Sequence, residues 1–114
     1  MVPIINTPQF ESLVCGDVQS FAMILDDFDA NGTQLIQTIS RQPADSTSAP
    51  KDALHQLKGS SGMLGLSSLF EMSKEYETKE PLDLSEKEIS SLRSLFQQSI
   101  DAAREALAKI DNAT

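Results

Sequence analysis

One histidine and the residues after it form the part of the sequence with the clearest capacity for chemistry. His55 is the only histidine of the chain, and residues 54–65 read Leu-His-Gln-Leu-Lys-Gly-Ser-Ser-Gly-Met-Leu-Gly. An exposed neutral imidazole is a good nucleophile near neutral pH and can carry a phosphoryl group on nitrogen. Lys58, about one helical turn further on, is placed to stabilise negative charge on the oxygens of a phosphoryl group in transfer.

The glycines of this segment are unusual, because its apolar spacing predicts a helix. Gly59 and Gly62 each cost about 1 kcal/mol relative to alanine in a helix interior. At about 100° per residue, His55 falls on the outer face with Lys58, Gly59 and Gly62. Helical side chains lean toward the N-terminus, so Gly59 leaves the imidazole uncovered. The inward side of the predicted helix is formed by Leu54, Leu57, Ser61 and Leu64.

Three other kinds of site agree less well with the same residues. The glycines follow the lysine and are spaced Gly-x-x-Gly-x-x-Gly, which is the reverse of a phosphate-binding P-loop. Asp52 and His55 resemble half of a di-metal site, but such a site needs a second histidine. Ser60 and Ser61 lack the strand-turn-helix elbow that presents a hydrolase nucleophile. We therefore expect no metal site and no cofactor of the chain's own.

Apolar periodicity predicts the helices that must position this segment, and on the helix over 17–40 it places Ile24 and Phe28 in the stripe that faces the core. Pro8 suggests a first helical position after Thr7 as the cap, and Ser85 with Glu88 predicts a capping box. Pro81 ends the fourth segment, and residues 42–50 are expected to form the most mobile loop. The predicted helices cover residues 8–14, 17–40, 51–65, 66–76 and 85–110.

These segments predict an all-α fold, since none of them alternates like a strand. Four substantial helices with short connections indicate an antiparallel four-helix bundle with a short additional N-terminal helix. Met23, Met63 and Met72 are interpreted as core residues, and Cys15 as a small apolar filler.

Composition restricts the environment and the partners. The chain has 114 residues and a net charge of −8, which predicts one domain over 1–114 and disfavours nucleic acid and anionic membranes. No apolar stretch approaches the roughly 20 residues of a membrane span, and residues 1–10 lack the features of a signal peptide. A single cysteine fits a reducing compartment. We expect a cytoplasmic monomer, and the initial Met and the polar end favour a free-standing protein.

The sequence resembles the histidine-containing phosphotransfer (HPt) domains of two-component phosphorelays. Their pattern is a His with Lys and Gly at the third and fourth following positions, then small residues and a further Gly before an apolar helix. It matches residues 55–61 as His-Gln-Leu-Lys-Gly-Ser-Ser, with Gly65 and the 66–77 segment behind them. The similarity extends upstream over residues 10–39. Leu54, Ser73 and Tyr76 depart from the Ala, Cys and Leu that members often have.

The resemblance implies roles for individual residues. His55 would be the phosphoacceptor, Lys58 its charge-stabilising neighbour, and Gly59 the clearance that admits a receiver domain. The expected docking residues are Gly59, Gln56, Gly62 and Lys51.

The implied function is that of a phosphorelay intermediate. It would take a phosphoryl group from a receiver's aspartyl phosphate and pass it to an aspartate of another receiver, with Mg²⁺ supplied by the receiver. Such a carrier has no ATP site and no autokinase activity. The expected partners are response-regulator receiver domains and a hybrid sensor kinase. The alternative is a helical module that docks receivers or other signalling proteins without carrying phosphate.

Overall fold

Five helices form the framework of the part of the chain that the structure describes. The computed structural model describes residues 2–41, 48–79 and 81–113, and these residues contain no strand. The all-α class is therefore confirmed. Most of the predicted 42–50 loop lies outside the described residues. The helices are α1 (Thr7–Val14), α2 (Val18–Ile39), α3 (Ala49–Met63), α4 (Ser67–Glu77) and α5 (Glu86–Ala113).

Two helices begin earlier than the sequence predicts. Asn6, not Thr7, caps α1, because its side chain accepts a hydrogen bond from the backbone N–H of Gln9 at 3.2 Å. α3 begins at Ala49, with Pro50 in its first turn. Proline needs no hydrogen-bond partner for its nitrogen there, so the end of the predicted loop is helical.

The capping box at the start of α5 is confirmed. The backbone N–H of Glu88 donates to the Ser85 hydroxyl at 3.1 Å, and the backbone N–H of Ser85 donates to Glu88 Oε1 at 2.9 Å. Two backbone donors that a helix N-terminus leaves free are thereby satisfied.

Four helices, α2 to α5, enclose most of the core, and each of them packs mainly against two of the others. α3 packs against α2 and α4, and the principal contacts of α5 are with α2 and α4. Leu54 and Leu57 on α3 are fully buried, and the Ser61 hydroxyl donates to the carbonyl of Leu57 at 2.6 Å. This inward side holds α3 in one rotational setting, which fixes the direction of every other residue on that helix.

The N-terminal segment is tied to the far end of α3. The N–H of Asn6 donates to the carbonyl of Gly65 at 2.8 Å, and the Gln9 side chain donates to the carbonyl of Gly62 at 2.9 Å. Phe10 is buried and meets Phe21 of α2 edge to face, with ring centroids 5.1 Å apart. α1 therefore closes one end of the core, and the N-terminal segment adds hydrogen bonds to carbonyls at the end of α3.

Several apolar residues predicted to be core are exposed instead. Met23 is 69% exposed and Met63 74%, and Ile24 is 46% exposed. Cys15 is also exposed and has a positive φ of 48° at the end of α1. Met72 packs against the core as predicted.

The rotational setting of α2 explains the exposure on that helix. Phe21, Leu25 and Phe28 are buried and define its inward side. Met23 lies about 200° around the helix from Phe21, so it faces away from the core.

A glycine in the middle of α2 allows close packing against α5. A Cβ atom at Gly32 would lie 2.3 Å from Cε1 of Phe96, a ring that is 4% exposed and 5.5 Å from the Phe28 ring. A Cβ atom at Gly59 would meet nothing within 4 Å. Both glycines are helical, but only Gly32 is required by packing.

The two glycines predict opposite effects of the same substitution. Gly32→Ala gains about 1 kcal/mol of helix propensity but overpacks a buried ring, which typically costs 1–3 kcal/mol, so we expect a net loss of about 1 kcal/mol. Gly59→Ala serves as the matched control and should raise the free energy of unfolding by up to about 1 kcal/mol. Urea titration measures both, and a Gly32→Ala variant as stable as Gly59→Ala would contradict the packing argument.

Candidate functional site

His55 lies on the outer face of α3, as predicted. Its side chain is 67% exposed, while Leu54 before it and Leu57 after it are fully buried. The imidazole is therefore anchored on a rigid helix and open to solvent. A macromolecular partner can approach it directly.

Glu77, the last residue of α4, holds the imidazole from one side. Its Oε1 lies 2.6 Å from Nδ1 of His55. An ionised carboxylate only accepts hydrogen bonds, so Nδ1 carries the proton in this contact. In the neutral ring Nε2 then keeps the free lone pair, which makes it the nucleophilic nitrogen of His55.

The same carboxylate also binds Lys58. The Lys58 ammonium lies 2.6 Å from Glu77 Oε2, and the Glu77 side chain is only 20% exposed. Glu77 thus joins the histidine and the lysine, which stand about one turn apart on α3, through its two oxygens. This shared contact brings together the two residues to which the sequence assigned chemistry.

The surroundings of Glu77 favour its charged form. The hydrogen bond from Lys58 is the main cause that lowers the pKa of Glu77, with a further contribution from His55, against the opposing effect of partial burial. The carboxylate is therefore ionised throughout the neutral range, and it can hold Nδ1–H and the ammonium together.

The two glycines near His55 differ in their surroundings. Gly59 is exposed and opens onto free space. A Cβ atom at Gly62 would lie 2.9 Å from Cδ1 of Phe70 on α4, so this glycine lets α4 pack closely. Both line a shallow depression together with Gln9, Phe70 and Glu71. Gly59 matches the predicted bare surface, and Gly62 has a packing role that its sequence context did not indicate.

The remaining predicted docking residues lie on either side of the histidine. Gln56 is exposed next to His55, and Lys51 is partly buried one turn before it. Their role in docking stays a prediction.

An exposed apolar groove lies beside this site, between α2 and α3. Ile24 and Met63 are its most exposed apolar residues, and Asp27 lies on its polar rim. Sequence reasoning placed Ile24 and Met63 in the core and so missed the groove. It is lined by Ile24, Asp27, Phe28, Asn31, Ser60, Met63 and Leu64.

Two other kinds of site are absent from the described residues. Within residues 2–41, 48–79 and 81–113, no three His, Cys, Asp or Glu side chains are grouped in a way that could hold a metal ion. None of the described helices has the length and apolar character that a membrane crossing needs.

Comparison with known protein families identifies the class to which this fold and site belong. The family model of the Hpt domain matches residues 19–113, and the chain belongs to this family. Members carry out histidine phosphotransfer in phosphorelays, where they interact with receiver domains, and they are carriers and not kinases. Searches among curated proteins and among solved structures found no significant match. The match begins after α1.

Glu77 was not found from the sequence because its partners lie 22 and 19 positions earlier, on another helix. One signal was available in its neighbour. Tyr76 ends the apolar stripe of α4 and is buried, which places the next residue at the edge of the interface with α3. A carboxylate at that edge is within reach of an exposed face that carries a histidine and a lysine.

The lowered pKa of Glu77 predicts a pH-dependent contribution to stability. A carboxyl whose pKa is lower in the folded state stabilises the fold above its unfolded pKa, and this is lost as the pH falls through the folded pKa. The ordinary value is 4.5. We therefore expect the wild type to exceed Glu77→Gln in thermal stability at pH 7 and to lose this advantage below pH 4.5.

The control variant is Glu71→Gln, which changes an exposed glutamate on the same helix. It should show a smaller difference across thermal melts between pH 3 and pH 7. A difference between wild type and Glu77→Gln that stays constant over this range would show that the charge of Glu77 does not stabilise the fold.

Proposed function

We propose that the protein is a phosphorelay intermediate in which His55 accepts a phosphoryl group from a receiver's aspartyl phosphate and passes it to an aspartate of another receiver. The observation that carries this proposal is the exposed imidazole whose Nδ1 is held by Glu77 at 2.6 Å. Membership of the Hpt domain family supports it. The four long helices, α2 to α5, form the antiparallel bundle that presents α3 to these partners.

The transfer step is an in-line exchange of one bond for another. The lone pair of Nε2 forms the N–P bond while the P–O bond to the aspartate breaks, and the aspartate leaves as a carboxylate with that electron pair. The proton on Nδ1 stays in place. The imidazolium charge that develops on His55 is stabilised by the Glu77 carboxylate, and the second transfer is the reverse of the first.

Lys58 stabilises charge on the phosphoryl oxygens. Its ammonium is held near the imidazole by Glu77, at 2.6 Å from Oε2. A flexible four-carbon side chain lets the ammonium remain close to the carboxylate while it contacts an oxygen of the arriving group. The Mg²⁺ that aspartyl phosphate chemistry requires comes with the receiver domain, in its own acidic pocket.

The receiver docks over the outer face of α3. Gly59 provides the clearance beside His55, since nothing lies within 4 Å of the position of its absent Cβ. Gln56, Gly62 and Lys51 border the same face. The protein acts in the cytoplasm as a monomer.

The chemistry of the bound phosphate tests the acceptor. Purified receiver domains from the same genome, charged with radiolabelled phosphate, should transfer label to this chain. The label should be lost in acid and retained in alkali, as expected of phosphohistidine, and His55→Gln should take up none. Acid-stable label on Ser60 or Ser61 would refute the assignment, while receiver binding without any label would favour a docking module.

Substitutions at Gly59 and Lys58 distinguish the approach of the phosphoryl donor to His55 from the stabilisation of charge during transfer. Gly59→Gln should preserve or raise stability, because Gly is the poorer helix residue by about 1 kcal/mol. Its side chain would lean over the imidazole and hold the donor outside the roughly 3 to 3.5 Å needed for attack, so transfer should fall. Lys58→Ala should leave docking nearly intact and slow transfer about a hundred-fold.

The test measures three quantities for both variants: the single-turnover transfer rate, the affinity for the receiver and the thermal stability. A Gly59→Gln variant that is destabilised and transfers at the wild-type rate would mean that Gly59 serves packing only.

A further inference from the structure

Three aspartates lie within about one turn of α2, and two of them share an ion pair with one arginine of α5. Nη2 of Arg104 on α5 lies 3.2 Å from Asp26 Oδ1 and 3.1 Å from Asp29 Oδ2. Asp27 is exposed, and its carboxylate has no hydrogen-bond or ion-pair partner among the described residues. It borders the groove between α2 and α3. Its charge is therefore available to a partner.

The groove itself has the composition of a contact surface. Met63 is 74% exposed and Ile24 46% exposed, and the buried ring of Phe28 contributes to its lining. Apolar side chains surrounded by polar ones are typical of protein interfaces, in which charges lie at the rim. Asp27 and Asn31 hold the rim positions here.

The groove lies close enough to His55 for one partner to cover both. Met63 is eight residues beyond His55 on α3, which is about 12 Å along the helix axis. A standard interface buries about 800 Å² on each side, equivalent to a disc of roughly 16 Å radius. A receiver centred on His55 therefore extends as far as Met63, which lines the groove.

We propose that Asp27 determines which receiver domains dock on this chain, by pairing with an arginine or lysine that the receiver presents beside an apolar side chain seated between Ile24 and Met63. This inference rests on the proposed function, which makes a receiver the partner of His55. Rim charges affect association rate and partner choice more than the affinity of the apolar contact. A chain of net charge −8 repels acidic surfaces at long range, so a local cation on the partner distinguishes matched receivers from the rest.

The test compares Asp27→Lys with Asp101→Lys. Asp101 is exposed on α5, whose principal contacts are with α2 and α4, and it receives a hydrogen bond from Gln97 within its own helix. Both variants change the net charge by the same amount. Affinities are measured by fluorescence anisotropy with unphosphorylated receiver domains from the same genome, at 50 mM and 300 mM salt.

For the receivers that bind the wild type best, we expect Asp27→Lys to raise Kd about five- to tenfold at 50 mM salt, mainly through a slower association rate. Asp101→Lys should change Kd less than twofold. The difference should shrink at 300 mM salt, where exposed charges are screened. The order of preference among receivers should also change in Asp27→Lys and not in Asp101→Lys.

Equal effects of the two variants on all receivers would overturn the inference, because net charge alone would then explain them. The same holds if Asp27→Lys leaves Kd unchanged, or if no receiver binds the wild type. Binding that depends on Asp27 without any phosphoryl transfer to His55 would leave this inference standing and refute the proposed function. Phosphoryl transfer to His55 with receiver affinities that do not change in Asp27→Lys would support the proposed function and refute this inference.

Discussion

The carboxylate of Glu77, shared between His55 and Lys58, is the contact on which the site depends. It exists only because the end of α4 returns alongside α3, and two glycines make that return possible. Gly65 adopts a φ of 74°, which side-chain-bearing residues rarely take, and Gly62 admits the ring of Phe70. Gly62, which looks unfavourable for a helix, and Gly65 thus allow the approach that places a carboxylate against the histidine.

Much of the fold was predictable from the sequence, and the errors have identifiable physical causes. Apolar periodicity located the five helices of the described residues, but it did not give the first residue of α1 and α3. Asn6 caps α1 in place of Thr7, and Pro50, which was assigned to a loop, lies in the first turn of α3. Periodicity also treats every apolar residue as core. It could not separate Phe28, which is buried, from Ile24 and Met63, which are left on the surface.

Only those features of the candidate site that depend on α3 alone could be predicted from the sequence. The outward direction of His55 follows from its buried neighbours on α3, which local spacing reveals. Glu77 belongs to another helix, and the choice of one carboxylate among the many of this acidic chain requires the packing of α4 on α3. The different surroundings of Gly59 and Gly62 likewise depend on Phe70 from α4, so they became distinguishable only in the folded structure.

The hydrogen bonds between the N-terminal segment and the end of α3 affect how the domain should be delimited. The family match begins at residue 19, which lies inside α2 and beyond Phe10 and Val14, both of which are buried in the core. A boundary drawn there would open one end of the core and remove the hydrogen bond that the Gln9 side chain donates to the carbonyl of Gly62. The packed core of this protein is thus larger than the region that matches the family model.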